Sequence, residues 1–74
     1  MKSLRMWDAT SGTVQFARVW HDDDGWHYDG DKAATARRIV EKYLSFWPTD
    51  TPLQIMKRLV MESSSYLSWE LIEE

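Results

Sequence analysis

Cysteine does not occur in this chain of 74 residues. Its absence excludes disulfide staples, thiolate zinc sites and cysteine nucleophiles, and it suits a reducing, cytoplasmic setting. No apolar run has the length of a signal peptide or a membrane span. Repeats and low-complexity segments are missing too. The chain therefore reads as a complete small soluble protein, a single domain over residues 1–74. At this size only about 60% of the unfolded surface is buried on folding, near the lower limit for a domain without covalent or metal support.

Tryptophan is abundant instead, with five in the chain. Each aromatic side chain buries about 150–250 Å², so a few replace a larger aliphatic core. One or two could also serve as exposed anchors at an interface, where Trp and Tyr are enriched. Net charge is −3, but it is segregated. Lys2, Arg5 and Arg18 outweigh Asp8 at the start of the chain, and Asp22, Asp23, Asp24, Asp29 and Asp31 follow as an acidic block. Lys32, Arg37, Arg38, Lys42, Lys57 and Arg58 then outweigh Glu41 and Asp50, before Glu62, Glu70, Glu73 and Glu74 close the chain. Such segregation makes a dipolar surface and bears on partners rather than on fold.

The strongest structural signal lies in Lys32–Trp47, where Ala36, Ile39, Val40, Tyr43, Leu44 and Trp47 recur at helical spacing. Arg38, Glu41, Lys42 and Ser45 fall on the other side. Asp31 stands where an N-cap is expected, and Pro48 requires the helix to end by Trp47. Thr51-Pro52-Leu53-Gln54 then gives a full start signal for a second helix reaching about Glu62, with Leu53, Ile55, Met56, Leu59 and Val60 inward. Ser63–Ser65 reads as a linker.

Before the helices, Lys2–Asp8 and Thr13–His21 carry strand patterns separated by a turn containing Gly12, and Trp26–Tyr28 reads as a third strand. With His21–Gly25 as the loop, Trp20 is expected opposite Trp26 and Arg18 opposite Tyr28, pairings that a one-residue slip would undo. Tyr66–Glu74 alternates as a strand, and pairing it with the first brings Glu70 and Glu73 near Arg5 and Lys2. The expected architecture is α+β: one small antiparallel sheet in the order β-β-β-α-α-β, with two helices packed on one face.

His21–Asp31 is the densest polar cluster. Counting twelve residues from Asp22, Asp23 or Asp24 lands on Ala33, Ala34 or Thr35, so the calcium-loop pattern, which needs a glutamate there, fails. No metal, cofactor or catalytic residues are expected, because no base, orienter and oxyanion donors occur at a recognisable spacing. The expected function is a non-catalytic protein-binding module. It would be a small regulator or inhibitor docking on a larger protein, a nucleic-acid-binding one included, of the kind phages and mobile elements direct at host machinery. The expected contact is the Trp-flanked acidic hairpin tip, with Asp22, Asp23, Asp24, Trp26 and Asp29. The alternative face is Arg38, Lys42, Lys57, Arg58 and Met61 on the helices. A helix-turn-helix-like nucleic-acid reader using Lys57 and Arg58 is the second reading, weakened by the acidic balance. A structural subunit, or a homodimer formed by strand addition, is the third.

Overall fold

Alternation and helical spacing are realised in the order the sequence implies. The computed structural model describes residues 1–73. Within them β1 (Lys2–Asp8), β2 (Gln15–Asp22) and β3 (Gly25–Asp29) precede α1 (Ala33–Phe46) and α2 (Pro52–Met61), and β4 (Leu67–Glu73) closes the chain. Glu74, the end of the expected last strand, lies outside the described residues. The sheet order is β3-β2-β1-β4 and every neighbouring pair is antiparallel, so the sheet is an α+β arrangement of the expected type.

The core lies between the sheet and the two helices. Leu4 and Met6 of β1, Ala17 and Val19 of β2 and Trp69 of β4 meet Ala36 and Val40 of α1 and Ile55, Met56 and Leu59 of α2, all buried. The rest of the α1 stripe (Ile39, Tyr43, Leu44 and Trp47) packs half-buried around them. Full burial of such an aliphatic side chain contributes roughly 1.5–3 kcal/mol, so the small core depends on nearly every member.

Local signals explain most boundaries. Thr51 forms a complete capping box with Gln54: its hydroxyl accepts the Gln54 N–H at 3.2 Å while the Gln54 side chain accepts the Thr51 N–H at 2.7 Å. Helix α1 ends at Phe46, as Pro48 demands. Arg37 and Glu41, one turn apart on α1, pair at 2.6 Å. On the sheet, Lys2 and Glu73 pair at 3.3 Å, and Arg5 lies opposite Glu70 in register.

Two expectations are corrected. Helix α1 begins one residue late: Lys32, not Asp31, occupies the N-cap position, and its side chain makes no capping hydrogen bond. Tertiary contacts decide this. The Lys32 backbone N–H donates to the Phe16 carbonyl at 3.1 Å, and its ammonium lies 3.6 Å from the buried Asp8 carboxylate. Gly30 makes the close approach feasible. It has φ +99°, and a Cβ there would sit 2.7 Å from the Phe16 carbonyl oxygen.

The second correction is the register of the β2–β3 hairpin. Asp22 pairs with Gly25, so only Asp23 and Asp24 form the loop, and His21 faces Trp26, Trp20 faces His27 and Arg18 faces Asp29. The Asp22 carboxylate accepts the Asp24 N–H at 2.8 Å and Gly25 takes φ +112°, which together close a tighter loop than expected. A shift of one residue exchanges the faces. Trp26 and Tyr28 therefore lie against the helices, half-buried beside the core, and neither expected pairing forms.

Ser63 and Ser64 do more than link. The Ser63 hydroxyl accepts the Trp69 N–H at 2.8 Å, and the Ser64 hydroxyl accepts the Leu67 N–H at 3.1 Å, on the side of β4 away from β1.

Candidate binding surfaces

Because both helices pack on one side, the other face of the sheet is left uncovered. Strand alternation together with the registers assigns its side chains. One row across the sheet holds His27, Trp20, Ser3 and Ile72; the next holds Asp29, Arg18, Arg5 and Glu70; the next holds Phe16, Trp7 and Ser68. Trp20 and His27 stack with centroids 5.3 Å apart and planes 18° from parallel, and Trp7 meets Phe16 edge-on at 6.2 Å. The Arg18 guanidinium lies 4.9 Å above the Trp20 ring. At the Phe16 end, exposed apolar side chains extend the face. Phe16 is 47% and Val14 56% exposed, and Tyr66, whose carbonyl accepts the Ala9 N–H, is 67% exposed. Exposed apolar area marks contact surfaces where it is contiguous.

The acidic hairpin end adjoins this face without sharing all its expected members. Asp23 and Asp24 are exposed at the loop. Asp22 and Asp29 fall on the uncovered face, whereas Trp26 is on the opposite, helix-packed face with its ring edge-on to His21 at 5.2 Å. The expected tip of Trp26 flanked by carboxylates is thus split between two sides of the sheet. Asp22 is held to His27 Nε2 at 2.7 Å; this hydrogen bond, with the Asp24 N–H, keeps its carboxyl below the ordinary value of 3.8. Asp8 is lowered similarly by the Thr10 hydroxyl and backbone N–H, with Lys32 assisting, although it serves the core side of the sheet.

On the helices, Arg38 and Lys42 are exposed on α1, and Lys57 and Met61 on α2, Met61 at 86%. Arg58 is already engaged: its Nε lies 2.5 Å from Asp50 and its guanidinium 4.2 Å over the Trp47 ring. This clamp ties α2 to the interhelical turn and engages one of the two cations the nucleic-acid reading requires with a carboxylate of the chain itself. Lys42 leans over Phe46 at 5.9 Å.

A cavity of about 170 Å³, open to solvent, lies between Met1, Lys2, His21, Pro52, Leu53 and Met56. Small-molecule sites are usually about 300–1,000 Å³ with convergent polar groups, and this one is smaller and mostly apolar. Among the described residues no group of three or more His, Asp or Glu side chains is placed to hold a metal ion, and no helix is long and apolar enough to cross a membrane.

Strand alternation alone sets Phe16, Arg18 and Trp20 on one side of Thr13–His21, and Arg5 and Trp7 on one side of Lys2–Asp8, but it does not say that the two sets share a surface. The joining signal was available: alternate positions of the two strands carry Arg5 and Trp7 on β1 and Phe16, Arg18 and Trp20 on β2. Comparison of the chain with protein-family models, with curated proteins and with solved structures finds no match.

Proposed function

We propose that this protein is a non-catalytic binding module that docks on a larger protein through the uncovered face of its sheet and regulates or inhibits it by occupying that surface. The observation that carries the reading is the concentration of Trp7, Phe16 and Trp20 with Arg5 and Arg18 on a face no element covers. Trp and Arg dominate interface hot spots, and rings already packed against neighbours lose little side-chain freedom on binding. The acidic end, with Asp22, Asp23 and Asp24, borders this face and adds steering of a basic partner.

At the β4 edge, strand addition is less favoured than face docking. The outer backbone of β4 is bonded to Ser63 and Ser64 over part of its length, and the strand carries Glu70 and Glu73, which repel a second copy.

Affinity capture with three surface variants tests the reading. Phe16→Asp is expected to abolish capture of the partner, while Asp23→Lys with Asp24→Lys slows association and Lys57→Glu with Met61→Glu has no effect. Capture that survives Phe16→Asp but is lost with Lys57→Glu and Met61→Glu would transfer the contact to the helices.

A further inference from the structure

The sheet ends in β3 on one side and β4 on the other, and the two edges are treated differently. At β4, Ser63 and Ser64 bond the outward N–H groups of Trp69 and Leu67. At β3 the direction of the backbone follows from Phe16, whose carbonyl points to the β3 side and accepts the Lys32 N–H. Alternation along β2 turns Arg18, Trp20 and Asp22 the same way, towards Asp29, His27 and Gly25. Trp26 and Tyr28, between those partners, therefore present their N–H and C=O groups outward. Among the described residues nothing beyond the sheet bonds them. The strand, Gly-Trp-His-Tyr-Asp, contains neither lysine nor proline, two devices that blunt such an edge.

Independently of how the uncovered face is used, we propose that β3 pairs antiparallel with β3 of a second copy, about a twofold axis through His27. In that register Trp26 of each copy meets Tyr28 of the other, so outward positions meet outward positions and each pair exchanges both its hydrogen bonds. On the helix-packed side the pair is an aromatic one and extends the half-buried rim of the core. On the other side His27 meets itself, each imidazole held by its own Asp22 at 2.7 Å. Asp29 falls opposite Gly25, so no like charges are directly opposed.

The match is particular to this strand. Moving the axis to Tyr28 sets Trp26 against Gly30, which has turned in against the Phe16 carbonyl. Moving it to Trp26 sets Tyr28 against Asp24 of the turn. Only the axis at His27 overlaps the whole of Gly25–Asp29. Arg37 and Glu41 of α1 flank the same edge, near enough to Tyr28 for both charges to act on its hydroxyl. Antiparallel copies of a flank holding one base and one acid attract, where a flank of one sign would repel. Because the axis is perpendicular to the sheet, the uncovered faces of both copies lie on one side.

Sedimentation equilibrium of the wild-type chain is expected to show the mass rising with concentration from 8.8 kDa towards twice that value. Over the same range, amide exchange of Trp26 and Tyr28 should slow about tenfold while that of Leu71, outward on β4, stays unchanged. A single introduced thiol then reports the register, since the chain has no cysteine. Opposed positions without mutual hydrogen bonds lie about 4.5 Å apart at Cα, within reach of a disulfide. His27→Cys should therefore crosslink to its copy about tenfold faster than Asp29→Cys, with circular dichroism melts confirming that both fold. A chain that stays at 8.8 kDa up to about 1 mM would overturn the proposal. So would a dimer that slows Leu71 exchange, one that slows neither edge, or equal crosslinking at the two cysteines.

Discussion

Gly30 shows how much one missing side chain can decide. Its positive φ and the proximity of the Phe16 carbonyl act together, whereas Gly25, also at positive φ, has open space around it. Gly30→Ala is therefore expected to cost at least about 2 kcal/mol, and Gly25→Ala about 1 kcal/mol, in urea unfolding. The reverse order of the two midpoints would contradict this account. Asp8 is the second residue of this kind, a buried carboxylate bonded to Thr10 and near Lys32. Its folded pKa is depressed, so its contribution is complete above the unfolded value of 3.8 and is lost as pH falls through the lower folded value. Below about pH 4 the wild type should lose stability more steeply than Asp8→Asn, which starts lower at neutral pH and has a flatter profile. Neither residue was legible as structural in the sequence. Gly30 works through its contact with Phe16, and Asp8 in part through Lys32, segments distant in the chain that local patterns do not encode.

For the elements, legibility divides between pattern and register. The α1 stripe and the α2 capping box were readable because helical spacing and cap chemistry are local. Thr51→Ala is expected to lower stability by about 1 kcal/mol, read as a shift in thermal midpoint. The last strand was readable too, because glutamates at its end oppose a helix dipole. The β2–β3 register was not readable. Three consecutive aspartates and a glycine suit loops of several lengths, and the choice among them rests on Asp22 bonding the Asp24 N–H. The start of α1 was misread for a related reason, since Asp31 has ideal cap chemistry but the chain is anchored one residue later. On α1, Arg37 and Glu41 are exposed, so Arg37→Ala should leave the thermal midpoint nearly unchanged.

On the scale of the whole molecule, one-sided packing sets both stability and function. The core is a single layer between sheet and helices, and Leu4 at its centre is fully buried. Leu4→Ala is expected to cost about 2–5 kcal/mol. A domain of this size has roughly 4–11 kcal/mol in total, so the variant should melt well below the wild type by circular dichroism. The uncovered face carries the proposed contact because no third layer among the described residues covers it. The alternation within β2 concealed this in the sequence: Phe16 and Trp20 point one way and Ala17 and Val19 the other, so each face taken alone resembles a core.

Ser63 and Ser64 have a consequence for behaviour at high concentration. By bonding the outer backbone of Trp69 and Leu67, they leave Leu71 and Glu73 as the positions of β4 open to further pairing. At this edge, so short a template gives a seed little purchase for amyloid-like growth. Removing both hydroxyls with Ser63→Ala and Ser64→Ala should shorten the lag of thioflavin-positive fibrillisation under agitation, even where the monomer's melting temperature barely moves.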